Sequence, residues 1–139
     1  MRFVDQHAIR TLGRAADGVL EAVGGMFTMS SGASDHELDA ANESVTKAGV
    51  AMQTAMSACA ECPRLNDLLG RGPSSAKQVL GVSALVGGTV KTSASLVCAY
   101  AVAAMTRRAV DQILVEMEAA DTELREVEAS LGITRKVSN

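Results

Sequence analysis

From Val110 onward the residues Val110, Ile113, Met117, Ala120, Leu124, Val127 and Leu131 recur at alternating steps of three and four without a miss. That spacing puts all seven on one stripe of an α-helix, and a strand, with its period of two, does not produce it. Two more stripes of the same kind precede it. Ile9, Leu12, Ala16, Val19, Val23 and Met26 form the first, and Leu38, Ala41, Val45, Ala48, Met52, Ala55, Cys59 and Cys62 form the second. Three such seams in 139 residues predict an all-α protein, a single domain built as an antiparallel helical bundle of three or four helices.

The breaks between the stripes set the expected helix boundaries. Helix one spans 3–29 and ends at the turn-forming Ser30, Ser31 and Gly32. Ser34 and Glu37 have the spacing of a capping box, with Asp35 where the helix dipole favours negative charge, so helix two begins at 34. Pro63 cannot donate to a helix and stops helix two at 62. In the connecting stretch 64–72, Leu65, Leu68 and Leu69 can make one amphipathic turn that caps the bundle. Gly70, Arg71, Gly72 and Pro73 form the strongest break, and Ser75 with Gln78 offers a second capping box.

Between 74 and 131 the only interruption is Gly87-Gly88, so helix three is expected to run for roughly 57 residues, about 85 Å. Helices one and two are each about 40 Å long by the same rise per residue. A continuous third helix therefore projects beyond its own bundle, and the seam from Val110 to Leu131 is left seeking a partner helix. Glu116 and Glu123 flank the seam on one side and Asp121 and Glu128 on the other. In a parallel homodimer these acids face one another, so the pattern favours a basic partner helix or a staggered, antiparallel self-association. The alternative is a kink at Gly87-Gly88 that folds the tail back as a fourth bundle helix.

Composition narrows the function. Hydrophobic residues make up 47% of the chain but aromatics only 2%, and the net charge is −3. Nucleic-acid binding by a basic patch or by stacking aromatics is therefore not expected. Cys59 and Cys62 spell CxxC, but a redox pair of this kind uses the N-terminal end of a helix, where thiolate is favoured. Here both sulfurs stand at the other end, on the seam, where cysteine acts as a small hydrophobe. A thiol redox or metal role for Cys59 and Cys62 is kept as an alternative, although Cys98, His7 and His36 are scattered and no zinc-ligand spacing emerges. No glycine-rich piece has the frame of a phosphate loop, and no carboxylate pair has a reason to be buried. Neither a cofactor nor an enzymatic activity is expected.

Three cysteines and no apolar leader after Arg2, Asp5, Arg10 and Arg14 suggest a cytoplasmic or other reducing intracellular compartment, without a signal peptide. The most lipophilic stretch, 79–105, is broken by Gly87-Gly88, Thr89, Lys91 and Thr92, and its uninterrupted part, 96–105, is too short for about 30 Å of hydrocarbon. A small membrane-associated component with 79–105 embedded in lipid, flanked by Arg107 and Arg108, is the alternative to a buried helix.

The wording of the C-terminal half is also suggestive. Ser74-Ser75-Ala76-Lys77-Gln78-Val79, an Ala/Ser/Val-rich run to Met105, and Arg107-Arg108-Ala109-Val110-Asp111-Gln112-Ile113 lead into the Glu-rich heptads that end at Leu131. This half resembles the talin-type I/LWEQ (THATCH) helical actin-binding module. The resemblance implies a bundle followed by a C-terminal dimerisation helix, here residues 113–131, that supports binding to filamentous actin. The chain departs from that family in being shorter than its bundle and in carrying an acidic tail. From its residues, the chain is expected to be a non-enzymatic structural or interaction protein that self-assembles or docks a partner helix.

Overall fold

The computed structural model describes residues 6–29, 32–70 and 93–132. Among these residues the protein is all-α, with four helices and no strand. They are α1 (Gln6–Phe27), α2 (Asp35–Ala58), α3 (Pro63–Gly70) and α4 (Ser93–Ser130). The expected start of the long helix near Pro73 and Ser75, and the hinge at Gly87-Gly88, lie outside the described residues.

α1 is the helix that the others share. Its stripe is wide enough to pack on α2 along one side and on α4 along the other, while α3 packs on α4. Its first turns, at Ile9 and Leu12, sit in one core cluster with Ala55 and Cys59 at the end of α2 and with Ala109, Val110 and Ile113 of α4. Its last turns, at Val19 and Val23, join Val45 of α2 and Leu96, Ala99 and Val102 of α4. This order makes α1 antiparallel to both neighbours, as the seams predict. At the far end Phe27 of α1 meets Tyr100 of α4 with ring centroids 6.3 Å apart, a tilted pair.

One glycine sets how closely α1 and α4 approach. A Cβ on Gly13 would lie 2.7 Å from Nη1 of Arg107 and 3.0 Å from Cγ1 of Val110. The missing side chain lets the fully buried Val110 pack directly on the α1 backbone. Beside it, Arg107 spans the two helices and pairs with Asp17 at 3.3 Å and with Asp111 at 3.0 Å. Thr106, also fully buried, donates its hydroxyl to the Val102 carbonyl at 2.8 Å, which satisfies it within its own helix.

The helix ends follow local chemistry. Ser34 caps α2 by accepting the Glu37 N–H at 3.2 Å, while its hydroxyl donates to the Glu37 carboxylate at 3.2 Å. Helix two is shorter than the expected 34–62. It ends at Ala58, because the chain needs a turn at 59–61 before Pro63 can enter the first turn of α3, a position where its missing N–H costs nothing. The single amphipathic turn expected near Leu65 is a two-turn helix, with Leu65 and Leu69 buried. α4 ends where Gly132 takes φ 73°, the left-handed conformation that favours glycine, and donates its N–H to Ala129.

Candidate interaction site on the fourth helix

α4 is 38 residues long, about 57 Å at the usual helical rise, whereas α1 has 22 residues and covers about 33 Å. Since the first turns of α1 lie level with residues 109–113 of α4, the remainder of α4 runs past the end of its main neighbour. α3 gives cover only a little further: Leu65 and Leu69 share the cluster with Ile113, and Met117 packs on its edge.

The seam read from the sequence is therefore divided, and part of the expected site is corrected. Val110 is 0% exposed and Ile113 5%, so these two belong to the protein's own core and are not offered to a partner. Met117 is half-buried at the boundary. Beyond it the same stripe is open: Ala120 is exposed, and Leu124, Val127 and Leu131 are 50%, 49% and 67% exposed. Among the described residues α1 and α3 cover α4 only as far as Met117.

The flanking charges divide in the same way. Glu116, expected to select a partner, is held within the chain instead. Arg64 of α3 grips both of its carboxylate oxygens, Nε to Oε2 at 3.0 Å and Nη2 to Oε1 at 2.7 Å, and Gln112 donates to Oε1 at 3.1 Å. These hydrogen bonds, from Arg64 first and then Gln112, hold the Glu116 carboxyl at about 2, well below its ordinary value of 4.5. Arg64 also pairs with Asp67 at 2.8 Å. Further along, Asp121 pairs with Arg125 one turn away at 3.2 Å. Among the described residues Glu118, Glu123 and Glu126 make no ion pair.

At the root of the open stretch, α1 and α4 border an open groove of about 760 Å³ whose walls include Gln6 and Arg10 of α1 and Leu114, Glu118 and Leu124 of α4. Its lining mixes aliphatic side chains with both signs of charge, suited to the flank of a helix more than to the enclosure of a small molecule.

Cys59 and Cys62 are both buried, in the cluster with Ile9, Leu12 and Leu65, and the Cys59 thiol donates to the Ala8 carbonyl at 3.5 Å. Cys98 is exposed on α4. Among the described residues no three His, Cys, Asp or Glu side chains come together to hold a metal ion. Also among these residues, no helix is long and apolar enough to cross a membrane. Of the lipophilic stretch 79–105, the part within α4 buries Leu96, Ala99, Val102 and Ala103 in the bundle, and 79–92 lies outside the described residues. Comparison of the chain with protein-family models, with curated proteins and with solved structures gives no match.

Proposed function

We propose that this protein is a non-enzymatic helical interaction module that uses the C-terminal part of α4 to receive another helix, from a second copy or from a different protein. One observation carries the proposal: a single continuous helix keeps the same apolar stripe along its length, covered as far as Met117 and open from Ala120 to Leu131. Surface helices of a folded domain normally bury such a stripe. Docking a helix there would complete the burial of Leu124, Val127 and Leu131, worth about 1 kcal/mol each for side chains roughly half exposed. The facing stripe of the docked helix buries a comparable area, and the entropy lost on association offsets much of the total, so a weak, dissociable contact is expected and not a permanent one.

The test uses the intact protein against three occupants. Two are designed heptad peptides with one aliphatic seam, flanked by Lys in the first and by Glu in the second; the third is the protein itself. Fluorescence anisotropy measures peptide binding to about 100 μM, and sedimentation equilibrium measures self-association over the same range. At least one occupant is expected to bind, and L124D with V127D should abolish that binding while the circular dichroism spectrum is retained. A chain that stays monomeric and binds neither peptide overturns the proposal.

A further inference from the structure

We propose that the occupant of the open seam is a basic amphipathic helix of another protein, one that places Lys or Arg beside an aliphatic stripe. This rests on the docking role proposed above and goes further by naming the partner's chemistry. The first support is the distribution of charge along the chain. Residues 116–131 hold six acids, Glu116, Glu118, Asp121, Glu123, Glu126 and Glu128, against the single Arg125, a net −5 that leaves +2 for the rest of the sequence. The acidity lies along the part of α4 whose apolar stripe is exposed among the described residues.

The second support is position. The residues that border the open seam are Asp121 and Glu128 on one side and Glu123 and Ser130 on the other, with Glu116 at its root. A helix packed on the seam must lie against these side chains. If the tails of two copies pair in parallel, each side faces the opposite side of its mate; if they pair antiparallel, each side faces its own kind. Between residues 116 and 131 no position on either side is basic, so pairing two copies of this stretch in either orientation brings no opposite charge into register. The staggered antiparallel form loses its electrostatic advantage on this ground. Arg125 does not alter the balance, because it lies outside these two rows and is engaged by Asp121 on its own helix.

The third support is the fate of Glu116. The protein already binds this acidic row once, and it does so with a cation. Arg64 reaches across from α3 to close on Glu116 at the point where cover ends. The helix that supplies it also lays Leu65 and Leu69 on the cluster that holds Ile113. An aliphatic side chain on the stripe with a cation beside it is thus the contact α3 makes at the root of the seam. A basic amphipathic helix repeats that contact further along, where Glu123 is without an ion pair among the described residues.

The experiment compares the same Lys-flanked and Glu-flanked peptides on the full chain and adds a third that keeps the Lys residues but replaces its seam with Ser and Gln. The Lys-flanked peptide is expected to bind at least about tenfold more tightly than the Glu-flanked one, the sum of a few exposed ion pairs. Raising salt from about 0.05 to 0.5 M should weaken it several-fold. The seamless Lys peptide should not bind, which separates docking from simple charge attraction. D121K with E123K and E128K should reverse the preference between the first two peptides. Equal binding of both peptides, binding of the Glu-flanked peptide alone, or dimerisation through Leu124 with no gain from Lys overturns the basic-partner inference and leaves the docking role standing. Binding by none of the occupants overturns both.

Discussion

The two ends of α4 carry the same pattern and meet different fates. From Leu96 to Ile113 its apolar stripe is sealed by α1 and, near the end, by α3; from Ala120 to Leu131 the same stripe faces outward. Residue type does not separate them, since Val110 and Val127, or Leu96 and Leu124, are chemically alike. What separates them, among the described residues, is how far α1 and α3 reach along α4. Periodicity says which side chains share a face, and whether that face becomes core or interface depends on how far the neighbouring helix extends.

The comparison is broken most directly by placing one charge in each half. Val110 is fully enclosed among Ile9, Leu12 and Ile113, and the neighbouring Arg107 is already paired with Asp17 and Asp111, so Val110→Asp forces a carboxylate into the core beside a cation that is engaged elsewhere. A cost of about 3–5 kcal/mol is expected, a large part of the stability of a small domain. Leu124→Asp places the same group in a half-open position and should change stability by no more than about 0.5 kcal/mol. Thermal unfolding followed by circular dichroism distinguishes them: V110D should lose much of its cooperative transition and L124D should keep it. Equal stability of the two variants would mean that α1 does not cover α4 as described.

Adding volume gives a milder form of the contrast. At Gly13 a Cβ already meets Val110 at 3.0 Å, and the longer branch of a leucine has no room between the two helices. Gly13→Leu should therefore cost about 1–3 kcal/mol by overpacking, despite the better helix propensity of leucine. Ala120→Leu, on the open part of the stripe, should leave the unfolding midpoint nearly unchanged and tighten binding of a docked helix. If both substitutions are neutral, the close approach at Gly13 is not a constraint on the fold.

Much of this architecture is legible in the residues because helices announce themselves locally. The spacing of Leu12, Val19 and Val23, the Ser34 cap and the stop at Pro63 each act within a few residues, and each has its counterpart in α1, α2 and α3. The division of the last seam was not legible. Ile113 and Leu124 hold equivalent places in one repeat, and only the antiparallel pairing with α1 buries the first and leaves the second exposed. The engagement of Glu116 was hidden for the same reason, since Arg64 lies 52 residues away in sequence and α3 brings it there. A lone arginine in a short connecting helix gives no periodic signal, although its place beside Leu65 and Leu69 marks α3 as facing the bundle.

The smallest expected effect concerns the acids on either side of the boundary. Glu116 is bound by Arg64 and Gln112, which hold its carboxyl down at about 2 from 4.5, so the folded state favours its ionised form more than the unfolded state does. Such a group contributes stability that is fully present above its unfolded value of 4.5 and is lost as pH falls through that value toward 2. Glu116→Gln should accordingly lower the unfolding midpoint slightly at neutral pH, with the difference from the unsubstituted protein closing as the solution is acidified across this window. Both Arg64 and Glu116 are partly exposed, so the effect should also shrink in high salt. Glu123→Gln, which removes an acid without an ion pair among the described residues, should not lower the midpoint at neutral pH, yet should weaken a Lys-flanked helix on the seam. Parallel melts of the two variants over this pH range provide the measurement. A deficit in E116Q that persists or grows in acid would show that Glu116 contributes to stability through something other than its charge.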